Sequence, residues 1–277
     1  MDYSYSDYEE MVKAIRTKTD FAPIVGIVLG SGLGQFVSRV KVKAIIPYSG
    51  IPSMPVSTNA NHAGCFVFGY YDDIPVVLMQ GRLHLYEGYS AQQVVVPIRI
   101  MGLLGIKYLV ITNAAGGINT SFKPGDLMLL DDQITCLVES PLRGPNIEEF
   151  GTRFPDMSNI YDHKLTYKIY EKSQKENLPI QKGVYMQFYG PQYESKAEIR
   201  MARTLGADSC GMSTTGEAIA SVSMGIKTVG FSLITNMACG ITDQKLSDDE
   251  VIEIGKRSQD ETAKLMNIIM EVIRDDQ

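Results

Sequence analysis

Ile24-Val25-Gly26-Ile27-Val28-Leu29 leads directly into Gly30-Ser31-Gly32-Leu33-Gly34. The apolar half is short, rich in β-branched side chains and without apolar-polar alternation, so it reads as a strand covered on both faces. The glycine half reads as a tight turn out of that strand. The same pattern recurs: runs at Ala44 to Pro47, Cys65 to Tyr71, Pro75 to Met79, Tyr108 to Thr112, Leu127 to Ile134, Val184 to Phe188 and Thr228 to Thr235 predict further strands. Helical patterns lie between them, and Ser6-x-x-Glu9, Ser90-x-x-Gln93, Thr214-x-x-Glu217 and Ser247-x-x-Glu250 each match a capping box. The last helix carries Val251, Ile254, Leu265, Ile268, Ile269 and Val272 on one apolar side. Strands alternating with helices predict an α/β fold, a large mixed β-sheet flanked by helices. No Pro/Ser-rich linker, low-complexity tract or repeat interrupts the chain, so residues 1–277 read as a single domain. Ligands of such sheets lie beyond the carboxyl ends of strands, and the polar and glycine residues there are the candidates for chemistry.

Composition narrows the classes further. With 277 residues, 44% of them hydrophobic and 21% charged, the chain can bury a full core, and disorder, collagen and coiled coil are excluded. Its 26 basic and 32 acidic residues leave a net charge of -6, so no basic footprint exists for a nucleic-acid polymer and any bound phosphate is expected to be small. Met1 to Glu10 is acidic and tyrosine-rich, unlike a signal peptide, and Arg99 and Gly102 break the longest apolar run short of membrane-spanning length. A cytoplasmic protein without a membrane partner is expected. Cys65, Cys136, Cys210 and Cys239 form no C-x-x-C pair and have no histidine partner nearby, so buried free thiols are expected and no metal site.

Six clusters follow predicted strands or open helices. In Gly30 to Gly34, glycines let backbone N–H groups turn inward and Ser31 adds a hydroxyl, a nest for an oxyanion; the spacing is neither a Walker loop nor a dinucleotide fingerprint. Gln80 to Gly88, if extended, points Arg82, His84 and Tyr86 the same way, an arginine fork, imidazole and phenol suited to phosphate beside a sugar hydroxyl. Asn113-Ala114-Ala115-Gly116-Gly117 closes a strand with small residues, either a turn or a place where a flat ligand meets backbone. In Gly190-Pro191-Gln192-Tyr193-Glu194, Tyr193 can stack on a heteroaromatic ring and Glu194 can accept from its N–H edge, or Glu194 merely complements a helix dipole. Ser213, with the amides of the helix that follows, offers a second phosphate-holding element. Asn236, ending Ser232-Leu233-Ile234-Thr235-Asn236, can donate to and accept from a purine, or be a turn former. His62, in a polar turn before a strand, is either a phosphate contact or a backbone-bonded loop residue.

Taken in order, G-S-G-L-G, N-H-A-G, G-R-L-H-L-Y-E-G, T-N-A-A-G-G, G-P-Q-Y-E-S, G-M-S-T and S-L-I-T-N resemble the trimeric purine nucleoside phosphorylases from about Ile27 to Val251. The resemblance implies a pentosyltransferase of purine salvage. It would carry out reversible phosphorolysis of the 6-oxopurine nucleosides inosine and guanosine to free base and α-D-ribose 1-phosphate, with phosphate as co-substrate and no metal or organic cofactor. It further implies a phosphate site of Ser31, Arg82, His84, the Ala114 amide and Ser213, with His62 as a gate. Tyr86 and Met212 would hold the ribose, and Tyr193, Glu194 and Asn236 the base, beside the Ala115 and Gly116 backbone. Phe154 would close the site of a neighbouring subunit in a homotrimer. In that mechanism Asn236, Glu194 and His84 are the catalytic residues.

Three departures from the family pattern stand out. Asp248 occupies a position where many relatives have a histidine bonded to the ribose 5′-hydroxyl, so it either accepts that bond or serves the helix dipole. Asn61 replaces a common glycine, and Thr215-Gly216 replaces a Val-Pro pair. A methylthioadenosine phosphorylase should carry aspartate in place of Asn236 and an apolar residue in place of Asp248, and this chain has neither. A non-catalytic nucleoside-sensing protein would need no complete phosphate set, and a dinucleotide-dependent oxidoreductase fails on glycine spacing.

Overall fold

The computed structural model describes residues 3–31, 33–58, 63–243 and 245–277. β1 (Val25–Leu29), β2 (Lys41–Pro47), β3 (Cys65–Tyr71), β4 (Ile74–Gln80), β5 (Tyr108–Gly117), β6 (Leu127–Ile134), β7 (Gln181–Gln187), β8 (Ser209–Gly211) and β9 (Lys227–Met237) join in one mixed sheet. Its order is β2-β3-β4-β1-β5-β8-β7-β6-β9, and β9 also pairs with β5. The strands β5, β8, β7, β6 and β9 therefore close into a ring, from which β1, β4, β3 and β2 extend as an open wing. β1 runs parallel to both β4 and β5, and β5 runs parallel to β9, so their carboxyl ends come together at one edge. As expected of a strand covered on both faces, every residue of β1 is buried.

The helices are α1 (Tyr5–Arg16), α2 (Ala91–Val94), α3 (Val96–Leu104), α4 (His163–Lys175), α5 (Lys196–Thr204), α6 (Thr215–Ser223), α7 (Asp248–Arg257) and α8 (Gln259–Arg274). Apolar side chains of α1, α3 and α6 pack in one core with Val28, Phe66, Phe68 and Ile111. On α8, Leu265, Ile268, Ile269, Val272 and Ile273 recur at helical spacing and are buried in a second core with α4 and β1. A smaller core under α5 contains Met186, Ile199, Ala202 and Cys210. These layers give the α/β architecture read from the sequence.

Several local expectations need correction. Ser4, not Ser6, caps α1, and its box is completed by Asp7. Ser90 forms the expected box with Gln93. Thr214 precedes α6 but makes no side-chain cap; its backbone sits at φ +87°, a strained region for a β-branched residue. Asn113 to Gly117 does not turn. It continues β5, because β8 and β9 pair with it and satisfy its backbone groups. β8 has no apolar run to announce it; pairing with β5 and β7 on its two sides makes it a strand. The final apolar pattern is broken at Ser258 into α7 and α8. Cys65 and Cys210 are buried thiols as expected, whereas Cys136 is exposed and Cys239 half-buried.

Candidate active site

The strand ends enclose a cavity of about 350 Å³ lined by Ser31, Arg82, His84, Tyr86, Ala114, Ala115, Gly116, Tyr193, Glu194, Met212, Ser213, Asn236 and Asp248. Segments far apart in sequence reach it through specific backbone devices. At the end of β1, the Gly30 amide donates to Thr112 Oγ1 (3.0 Å), whose hydroxyl donates to the Val28 carbonyl (2.8 Å). A Cβ on Gly30 would lie 2.7 Å from both the Thr112 carbonyl oxygen and Asn113 Cα, so only glycine brings Ser31 this close to β5. After β4 the chain turns at Gly81, at φ +106°, and Tyr48 donates its hydroxyl to the Gly81 carbonyl at 2.9 Å. That turn releases Arg82 and His84 from the sheet.

At one end of the cavity, cationic and hydroxyl groups converge. Arg82 is 2% exposed, and its fork is used internally: Nε and Nη2 donate to the two oxygens of Glu217 at 3.2 and 3.0 Å. Nη1 donates to Ser213 Oγ at 3.1 Å. Glu217 is 1% exposed; burial pushes its carboxyl up and the guanidinium opposes that. The arginine thus presents its Ser213-facing edge rather than the fork. His84 Nδ1 lies 3.0 Å from Glu87 Oε1, which also accepts the His84 amide. Burial alone would raise the Glu87 carboxyl, but bonds from His84 and Thr58 outweigh it and hold it down to about 2. An ionised Glu87 accepts at His84 Nδ1, so that nitrogen carries a hydrogen. Tyr86 stacks on the His84 ring, centroids 4.5 Å apart.

Two amides at the entry to α6 are already engaged within the chain. The Ser213 amide donates to Tyr185 Oη (3.3 Å) and the Thr215 amide to Gln187 Oε1 (3.0 Å). The Ser213 hydroxyl is held by Arg82 and stands 3.1 Å from Thr214 Oγ1. Thr214 Oγ1 in turn accepts from Asn113 Nδ2 at 2.9 Å.

The opposite end is acidic and apolar. Glu194 is 8% exposed, and burial raises its carboxyl. Its Oε2 accepts from the Cys210 thiol at 3.7 Å, while Oε1 is buried with no partner. A buried carboxylate oxygen without a donor is costly unless a ligand supplies one. Asn236 is also buried, and its Nδ2 donates to Thr235 Oγ1 at 3.3 Å. Its Oδ1 would lie 3.2 Å from any Cβ on Gly116, so glycine keeps the floor of this end open. Asp248, the first residue of α7 after the Ser247 cap, lines the cavity near Leu246 and Val251.

Of the residues singled out from the sequence, His62 lies outside the described residues. Phe154 is not in the cavity; it is 86% exposed on the surface. Tyr86 reaches the cavity through a 3-10 turn at Leu85–Glu87 rather than an extended strand. The other twelve converge as expected. Sequence reading missed Cys210, Pro191, Thr235 and the supporting pair Glu87 and Glu217. Glu217 falls in the Thr214-x-x-Glu217 pattern, which matches a capping box, yet its place before Ala218, Ile219 and Ala220 is a usable signal. An acid on an apolar helix face needs a buried cation. Among the described residues no group of three or more His, Cys, Asp or Glu is placed to hold a metal ion. No helix among them is long and apolar enough to cross a membrane.

Residues 24–273 match the family model described as Phosphorylase superfamily. Purine nucleoside phosphorylase 1 of Bacillus subtilis is 45% identical over 263 residues, which cover 95% of this chain and 97% of that protein. The structure of a Schistosoma mansoni purine nucleoside phosphorylase in complex with inosine is similar with a TM-score of 0.90 and 38% identity, covering 97% of this chain and 96% of that one. A Schistosoma mansoni purine nucleoside phosphorylase in complex with adenosine is similar to the same degree, with a TM-score of 0.90, 38% identity and 97% of each chain covered.

Proposed function

The chain belongs to the phosphorylase superfamily, among its purine nucleoside phosphorylases, and on that premise we propose that this cavity phosphorolyses 6-oxopurine nucleosides. Inosine and guanosine would give free base and α-D-ribose 1-phosphate. The observation that carries the base assignment is Glu194 Oε1, a buried acceptor without a donor, across one cavity from Arg82, Ser213, His84 and Ser31. Phosphate is bound by Ser31, Ser213 and the Ser213-facing edge of Arg82, with the Ala114 amide beside them. His84, anchored through Nδ1 by Glu87, hydrogen-bonds the phosphate through Nε2 without taking a proton from it. Tyr86 and Met212 hold the ribose, and Asp248 accepts from its 5′-hydroxyl.

As the glycosidic bond stretches, the ribose gains oxocarbenium character and the purine becomes anionic. Bound phosphate stabilises the cation and attacks the anomeric carbon from a fixed position. Glu194 accepts the purine N1–H, Asn236 stabilises charge around N7, and Tyr193 stacks on the ring beside Ala115 and Gly116. An ionised Glu194 meets a lone pair, not a hydrogen, at N1 of adenine, so adenosine is turned over poorly. Because a relative has been solved with adenosine as well as with inosine, turnover rather than binding is the discriminating quantity. We further propose one catalytic domain over residues 1–277, acting in the cytoplasm as a homotrimer in which Phe154 covers a neighbouring site. His62 serves as its gate.

The test is hypoxanthine release from inosine with and without phosphate, with adenosine and methylthioadenosine in parallel. Phosphate-dependent turnover of inosine, at least a hundredfold above adenosine, is expected from a missing donor in a hydrogen-bonding pocket, roughly 10⁴-fold at best. Turnover of adenine nucleosides alone would refute the roles of Glu194 and Asn236. Binding without turnover would identify a sensing protein.

A further inference from the structure

The thiol of Cys210 and the carboxylate of Glu194 meet inside the base end of the cavity, and the mechanism above gives that contact no task. We infer that Cys210 is a positioning residue for base selection: its S–H competes for Glu194 Oε2 and leaves Oε1 the open acceptor for the base, so the site favours hypoxanthine over guanine. The inference rests on the purine reading of the cavity.

Both residues line the cavity, at 2% exposure for Cys210 and 8% for Glu194. The sulfur stands 3.7 Å from Oε2, within reach of a thiol hydrogen bond, and Oε1 has no partner. The backbone of Cys210 is fixed from both sides, paired with Gly116 of β5 and Met186 of β7, so the thiol cannot withdraw by a backbone shift. Burial beside the carboxylate keeps the thiol protonated and therefore a donor. Hypoxanthine offers one edge donor to a carboxylate, N1–H. Guanine offers N1–H and the 2-amino group, a pair that matches a carboxylate fork best when neither oxygen already accepts in the direction of the base. Here the 2-amino group competes with the thiol for Oε2.

The experiment compares kcat/KM for inosine and guanosine in the wild type, Cys210→Ala and Cys210→Ser. Loss of the thiol donor should raise the guanosine-to-inosine ratio about fivefold in Cys210→Ala, the effect of one modest hydrogen bond. Cys210→Ser restores a donor and should hold the ratio at or below that of the wild type. A ratio that is unchanged or lower in Cys210→Ala, or equally raised in both variants, overturns the inference. A second readout is the acid limb of the inosine kcat/KM profile. Removing a donor to Glu194 disfavours its ionised form, so the limb moves to higher pH in Cys210→Ala and returns in Cys210→Ser. Glu198 of α5, the other side chain acting on the Glu194 charge, is untouched by either change. A packing role alone would lower both substrates together and leave the limb in place. Failure of the wild type to release hypoxanthine from inosine with phosphate refutes the functional reading itself; normal release with an unmoved ratio refutes only the role of Cys210.

Discussion

Glu217 and Glu194 are both buried acids, and their environments give them opposite tasks. Glu217 is joined to Arg82 by two bonds in the interior, where removing one partner leaves an uncompensated charge. Glu217→Ala is expected to cost about 3–5 kcal/mol in urea unfolding and to raise KM for phosphate, because Arg82 loses the contact that aims it. Glu194 instead has one buried oxygen, Oε1, with no partner, the acceptor that the proposed mechanism assigns to the base. Glu194→Ala should lower kcat/KM for inosine by about two or more orders of magnitude; near-normal turnover would return it to a helix-start role. Burial raises the Glu194 carboxyl, and in the proposed mechanism only its ionised form accepts N1–H. Inosine kcat/KM of the wild type should therefore begin to fall, on acidification, at a higher pH than an ordinary glutamate with a pKa of 4.5 would give.

At the level of the element, the site depends on how strand ends are tied together. Gly30→Ala would drive a Cβ against backbone atoms of β5 that cannot yield. Overpacking of this kind costs about 1–3 kcal/mol, and urea unfolding with phosphate titration should show lower stability and weaker phosphate binding together. Glu87 ties the segment before β3 to His84, since it accepts from the Ser57 and Thr58 hydroxyls as well as from His84. Its carboxyl is held at about 2 in the folded chain, below its ordinary value of 4.5. The linkage sign follows: this stabilisation is full above pH 4.5 and disappears as pH falls toward 2. The unfolding free energies of wild type and Glu87→Gln should differ at neutral pH and converge across that window. A constant difference would mean that the carboxylate does not carry the contact.

Over the whole molecule, the closed ring of β5, β8, β7, β6 and β9 beside an open wing brings segments from residue 31 to residue 248 around one cavity. Phe154 stands outside that arrangement, 86% exposed. If it covers a neighbour's base, an aromatic interface anchor worth on the order of 2 kcal/mol is lost on truncation. Phe154→Ala should then raise KM for inosine at least about tenfold with the subunit's thermal unfolding unchanged. Sedimentation velocity with assays over a dilution series checks the premise: activity should fall as the oligomer dissociates. Full activity in a monomer would remove Phe154 from the site.

The strands were legible because runs such as Cys65 to Tyr71 and the first half of β6, Leu127 to Leu130, are continuously apolar or small, and that signal is local. Of the cavity-lining residues, Arg82 and His84 were legible as polar side chains after an apolar strand, whereas Glu194 and Asn236 each allowed a structural reading until the ordered motifs were read together as a family resemblance. What stayed hidden was every feature defined by a partner remote in sequence. β8 exists through pairing, β5 continues past Thr112 because two other strands receive it, and the ring closes through the β5–β9 contact. The same holds for chemistry. Only folding sets Glu217 against Arg82, Tyr185 against the Ser213 amide, and Cys210 against one oxygen of Glu194, since hydrogen bonds between residues 16 to 135 positions apart leave no periodic trace in the chain.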